Sequence, residues 1–156
     1  GNSDAVVRAY LDLPKPAADR ARLLVQGSSS FEGVTGQPCR LAFSVEVMDD
    51  VATEAPVSIE TLQIGVGWEP VILTEFQAVG SGRGTFTVEL IIPDLPLPPG
   101  EYPVTLFLST AQDPVQGRET LDARGWTYGN GLSMRVSGTP TLGITALPLR
   151  WTQESP

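Results

Sequence analysis

The sequence predicts an all-β fold built from two antiparallel sheets packed face to face. Three observations predict it. Apolar and polar residues alternate in several runs of strand length, the signature of strands with one dry and one wet face. Glycine and proline are abundant, 16 and 14 among 156 residues, which suits short strands joined by turns better than a helical bundle. Turn signals at MDD (48–50), GSGRG (80–84) and PPGE (98–101) separate the runs. The length is that of one ordinary domain with a core of its own.

Residues 3–12, SDAVVRAYLD, read as a short helix. Ser3 can cap it, Asp4 suits its positive end, and Val6, Val7, Tyr10 and Leu11 form one apolar stripe. Pro14 and Pro16 stop it, and so short a helix needs something to pack on. After the linker KPAAD, strands are predicted at about 20–27, 38–48, 57–66, 70–77, 84–92, 101–109, 131–137 and 141–147. In the second, Leu41, Phe43, Val45 and Val47 face one way and Ala42, Ser44 and Glu46 the other. In the fifth, Phe86, Val88, Leu90 and Ile92 oppose Thr85, Thr87 and Glu89.

Between the fifth and sixth strands, LPLPPG lacks ladder donors and must carry the chain from one sheet to the other. The sixth alternates Tyr102, Val104, Leu106 and Leu108 toward the core, yet Phe107 falls on the wet face between Thr105 and Ser109. After MRVSG, residues 138–140 (GTP) form a hinge to TLGITALPLRW. That extra terminal strand must pair with an edge, either of its own sheet or of a second protomer. Taken together, these elements describe an immunoglobulin-like antiparallel β-sandwich with a short N-terminal helix.

Composition excludes several function classes. A formal net charge of −8 provides no field for phosphates, so nucleic acid and anionic lipid are not expected partners. The lone Cys39 has no internal disulfide partner and reads as a small buried thiol, in keeping with a reducing compartment. No apolar run reaches membrane-span length, and the first residues lack signal-peptide features. With no histidine, Ser-His-Asp and Cys-His nucleophiles and His-based metal sites are ruled out.

GSGRG precedes a strand, so it reads as a hairpin turn and not as a phosphate loop. Lys15 is the only lysine and sits in PKP, outside any Walker motif. Asp49 and Asp50 read as turn residues. A calcium site from Asp113, Asp122 and Glu119 lacks a loop signature, and no carboxylate pair has glycosidase spacing. The expectation is therefore a non-enzymatic domain without cofactor or metal.

Binding remains. If strands 101–109 and 131–137 are neighbours, their wet faces bring Thr105, Phe107 and Ser109 beside Ser133 and Arg135, and the strand 57–66 adds Thr61 and Gln63. An aromatic platform ringed by hydroxyls, an amide and a guanidinium suits a neutral polar ligand such as a sugar. Trp126 and Tyr128, in the long segment 111–130, could form a wall of that site. The same segment, with Leu121, could instead fold over Phe107 as a satellite cluster. The candidate ligand-binding residues are Phe107, Gln63, Thr105, Ser133, Arg135, Trp126 and Tyr128.

Two segments resemble a known family. GNSDAVVRAYL resembles the end of the ATPase domain of polysaccharide-export ABC transporters, and FTVELIIPDLPLPPGEYPVTLFLS resembles the C-terminal domain of the same subunits, the Wzt-like component of O-antigen exporters. The later LSMRV closes the domain in the same way. The resemblance spans most of residues 1–137 and implies a carbohydrate-binding β-sandwich at 18–138, preceded by a helix and linker (1–17) from an ATPase domain. The resemblance also implies a following terminal strand (139–156) of the kind that such domains can exchange between the protomers of a homodimer.

The resemblance further implies a cytoplasmic module, peripheral to the inner membrane, that binds lipid-linked polysaccharide glycan and is tied to a transmembrane exporter subunit. It supplies no catalytic residue. An immunoglobulin-like protein-interaction or adhesion module is the alternative.

Overall fold

The computed structural model describes residues 16–25, 30–63, 67–129 and 131–139. Among them are eleven strands and one 3-10 turn. In chain order the first are β1 (Ala21–Leu24), β2 (Ser30–Val34), β3 (Cys39–Val47), β4 (Ala52–Ala55), β5 (Val57–Gln63) and β6 (Gly67–Leu73). Then follow β7 (Gln77–Ser81), β8 (Gly84–Ile92), β9 (Gly100–Thr110), β10 (Thr120–Arg124), the 3-10 turn η1 (Trp126–Tyr128) and β11 (Leu132–Ser137). The expected helix at 3–12, the strand at 141–147 and Pro140 of its hinge lie outside the described residues.

The architecture is a two-sheet β-sandwich, as the alternating runs require. One sheet has the order β1-β3-β8. The other holds eight strands lying in five lanes around the long β9. On one side of β9 lie β10 and β11, pairing with successive stretches of it, and β2 beyond them. On the other side lie β4 and β5, again end to end, backed by β7 and β6. All pairings are antiparallel except β2 with β11, which is parallel. The expected neighbourhood of strands 101–109 and 131–137 is present in that register.

The alternating runs point inward as read. Leu41, Phe43, Val45 and Val47 of β3 meet Val104, Leu106 and Leu108 of β9 and Leu132, Met134 and Val136 of β11 in one core, which also contains the buried Cys39. Burial raises the Cys39 thiol pKa. Leu95 and Leu97 of the proline-rich crossing complete the core. The crossing is anchored to the β2–β3 turn through bonds from Gly36 N–H to Leu95 O and from Thr35 Oγ1 to Leu97 O. Tyr102 Oη donates to Pro98 O at 2.7 Å, fixing the corner where the chain enters β9, as a tyrosine corner does in other β-sandwiches.

Three expectations are corrected. GSGRG is not a hairpin turn: β7 belongs to the larger sheet and β8 to the smaller, so these residues cross between layers. A Cβ on Gly80 would lie 2.7 Å from the Phe86 ring, which shows β7 and β8 stacked across the core and not side by side.

The strand predicted at 70–77 is in fact two, broken at 74–76. Thr74 binds Val57 through both its backbone N–H and its side-chain oxygen, which terminates the ladder there. The segment 111–130 is not one loop. It contains a turn closed by Asp113 and Gly117, then β10 and η1.

Candidate functional site

The two outer faces of the sandwich differ in chemistry. On the smaller sheet, outward side chains form the ion pairs Arg22–Glu46 and Arg40–Glu89, an ordinary solvated surface. The outer face of the larger sheet carries aromatic rings. Phe76 is 46% and Trp126 51% exposed, and Phe107 and Tyr128 are half-buried.

Sheet breaks gather these rings. β4 gives way to β5 at Pro56, whose carbonyl accepts the Phe107 N–H. β6 gives way to β7 at 74–76, and β10 to β11 over Gly125–Gly131. Two of these fall directly beside the Thr105–Phe107 stretch of β9, and the third lies one lane farther out, where Thr74 bonds Val57. Where the lanes part, a cavity of about 280 Å³ opens, lined by Pro56, Thr74, Phe76, Phe107, Ser109, Arg118 and Thr120. Its lining is mainly apolar, with hydroxyls among it, an arrangement that holds the apolar face of a ligand and bonds its edge.

The Gly125–Gly131 excursion folds onto the outer face of β9. A Cβ on Gly125 would lie 2.5 Å from Thr105 Oγ1, so the backbone rests directly on that side chain and leaves Thr105 only 2% exposed. Thr105, expected on a wet surface, is thus covered and cannot meet a ligand in this arrangement. Tyr128 meets Phe107 edge-on, with centroids 6.2 Å apart and planes at 88°. The covering segment expected as the plainer account of Phe107 therefore exists, yet it covers one flank and leaves the ring lining the cavity. Trp126 is held over Gly131, and its indole Nε1 donates to Leu132 O at 2.9 Å, which fixes a half-exposed ring.

The remaining expected residues are more scattered. Ser133 and Arg135 share the outward face with Phe107, since they pair with Pro103 and Glu101, but those positions are four and six residues down β9, roughly 13 and 20 Å away at strand rise. Arg135 is engaged by Glu101 at 3.0 Å. Gln63 ends β5 opposite Gly67, beyond the β5–β9 pairing, and its side chain lies outside those described.

The carboxylates weighed for calcium are each engaged separately. Asp113 Oδ1 accepts the Val115 and Gln116 N–H groups, which lower its pKa. Glu119 meets Arg20. Asp122 points into the core and accepts the Leu23 N–H.

Several residues at the site were not anticipated, and Phe76, Arg118 and Glu54 matter most among them. The Arg118 guanidinium lies 3.8 Å over the Phe76 ring centroid. Its Nε and Nη2 donate to Glu54 Oε2 at 2.9 and 2.7 Å, and its Nη1 to Gln112 Oε1 at 2.9 Å. In the sequence, the only signal for Phe76 was an aromatic residue at the end of an apolar run. Arg118 and Glu54 carried none, because their meeting depends on a turn and a short strand with no alternating pattern.

No family model and no curated protein matches the sequence. Among solved structures, the C-terminal domain of Wzt aligns over 86% of this chain and 81% of its own, with TM-score 0.57 and 16% identity. Fainter likenesses include the ASH/PapD-like domain 7 of human CEP192, at 11% identity and TM-score 0.39 over 83% of this chain and 92% of that one. Another is the Pseudomonas fluorescens DNA glycosylase AlkC, at 14% and 0.38 over 74% and 30%. At these identities the first likeness establishes a fold, and the chain has the β-sandwich fold of the C-terminal domain of Wzt.

Proposed function

We propose that this chain is the non-catalytic recognition module of a polysaccharide ABC exporter, binding a lipid-linked glycan of O-antigen type on the outer face of its larger sheet. The observation that carries the reading is the cavity beside Phe107, an aromatic-walled pocket on one outer face of a Wzt-like fold. Phe107 and Phe76 supply apolar faces for a sugar ring. Ser109, Thr74 and Thr120 stand at its edge, and Trp126 offers a second, fixed platform on the excursion whose Tyr128 touches Phe107. Ser133 and Arg135 would meet a neighbouring sugar of an extended chain.

The reading includes a cytoplasmic location at the inner membrane, attachment to the transmembrane subunit through the full-length protein, and a homodimer with exchanged 139–156 strands.

Calorimetric titration with the source strain's own surface polysaccharide tests it, run beside an unrelated glycan and Phe107→Ala. Saturable heat with the native glycan alone, lost in a folded Phe107→Ala variant, is the expected result. No heat with any glycan at millimolar site concentration would remove the reading.

A protein-interaction module is the second reading, and a different surface favours it. β8 is the last strand of the smaller sheet among the described residues. Ile91 on it is 61% exposed, and Phe86, Val88, Leu90 and Ile92 are only partly buried, an edge suited to strand addition.

A further inference from the structure

Among the described residues that line the cavity beside Phe107 there is one cation, and that cation is already answered. Arg118 gives two N–H groups to a single oxygen of Glu54 and a third to Gln112, with its planar face against Phe76. The pair is partly withdrawn from water, with side-chain exposures of 31% for Arg118 and 20% for Glu54, so solvent screens it less than the surface pairs of the other sheet.

An anionic group entering the cavity would have to displace the Glu54 carboxylate from its fork or sit beside it as a second negative charge. Repulsion from Glu54 cancels what Arg118 would offer it, so the anion's loss of hydration goes uncompensated, enough to weaken binding about tenfold or more. The net charge of −8 opposes an anion's approach as well. A neutral ring meets no such obstacle. It can lie against Phe107 and leave the ion pair whole, and a cavity of about 280 Å³ is at the small end of ligand sites, sufficient for one ring.

We propose that Glu54 sets the charge selectivity of this cavity: by holding Arg118 across Phe76 it admits a single neutral sugar ring, with a deoxy or other apolar face against Phe107, and refuses a uronate. Glu54 acts here as a positioning residue that works through Arg118. The inference rests on the glycan-binding reading above and narrows its ligand class.

The test is a chemical-shift titration of the ¹⁵N-labelled 156-residue chain with a neutral 6-deoxy sugar, methyl rhamnoside, and with methyl glucuronoside, following the Phe107 and Arg118 amides. In the unmodified protein the neutral glycoside is expected to move these amides, and the uronoside to bind at least about tenfold more weakly. In Glu54→Gln the guanidinium is released and the uronoside gains about tenfold, while Glu54→Gln combined with Arg118→Gln loses that gain.

Equal binding of both glycosides by the unmodified protein overturns the inference. So does an unchanged ratio in Glu54→Gln, or no movement of those amides by either glycoside. Should Glu54→Gln fail to fold, Arg118→Gln decides: retained neutral binding with a further weakened uronoside supports the proposal, and equal loss of both overturns it. A polysaccharide that gives no heat while these ratios hold would remove the export reading and leave the charge rule standing. A polysaccharide that binds without moving the Phe107 and Arg118 amides would do the reverse.

Discussion

Asp122→Ala is the substitution that most directly tests how the sandwich is held together. Asp122 lies on β10 of the larger sheet and is 5% exposed. Its Oδ2 accepts the N–H of Leu23, on the edge strand β1 of the other sheet, at 2.7 Å, and its Oδ1 accepts the Ala123 N–H at 2.8 Å. One carboxylate therefore ties the two layers at an open edge. Removing it costs a charge-assisted bond, about 1.5–3 kcal/mol, and leaves the Leu23 donor buried without a partner. Part of that is recovered because a desolvated carboxylate is also removed.

The expected loss is about 2 kcal/mol, which in a domain of this size lowers Tm by roughly 4–8 °C. Asp122→Asn should lose about half as much: its one carbonyl oxygen can still serve Leu23, but the amide nitrogen then faces the Ala123 N–H, donor against donor. Urea unfolding followed by tryptophan fluorescence gives the free energies, and amide exchange at Leu23 localises the effect. An Asp122→Ala protein within about 0.5 kcal/mol of the parent, with unchanged m-value and unchanged Leu23 protection, would refute this account of the inter-sheet tie.

Acid should weaken the fold through Asp49 and Asp113. Arg20 holds the first below its ordinary pKa, chiefly by a direct hydrogen bond, and the Gln116 and Val115 amides hold the second below its own. Because the folded values lie below the unfolded ones, their stabilisation is complete above the unfolded value and disappears as pH falls through the folded values. Urea midpoints recorded between about pH 6 and 2 should therefore decline more gently for Asp49→Asn than for the parent, and parallel curves would contradict the assignment.

Gly131→Ala should unseat Trp126, since a Cβ there would lie 2.5 Å from the indole. The ring can swing outward, so the loss is expected to be about 1 kcal/mol, that of its hydrogen bond to Leu132 O. The Trp126 indole N–H resonance should shift toward that of a free indole, and an unmoved resonance would count against the seat.

How far the sequence disclosed the structure depends on what each element is made of. β3 and β8 alternate cleanly because each has one face in the core, as β9 does apart from Phe107, and their bounds and facing are readable from that period alone. β4 was missed because Ala and Glu are weak strand formers; it exists through its neighbours β9 and β7. β2 hides behind Gly33, where a Cβ would press within 2.7 Å of Leu95, so the residue that permits close packing also erases the pattern. β10 reads as loop because Asp122 interrupts it, although that carboxylate serves the edge of the opposite sheet.

At the site, Phe107 was visible as an aromatic residue out of phase. Thr105 was misplaced because a polar side chain on the outward face of a strand reads as wet unless a distant segment lies over it.

The cavity itself could not be read from any one strand. In an unbroken sheet, neighbouring strands lie about 4.8 Å apart with side chains standing in parallel rows, a surface too level to enclose a ligand. Here a proline without an N–H, a threonine that captures its neighbour's ladder bonds, and a glycine-flanked excursion interrupt three lanes at the level of one stretch of β9. Each interruption is locally a defect in pairing. Side by side they let Phe76 come over the sheet from one side and Tyr128 from the other, the side from which Arg118 also reaches across β9, around a ring that a continuous strand would leave standing alone. The cavity thus arises from the alignment of the breaks, a property of register between lanes that local periodicity does not encode.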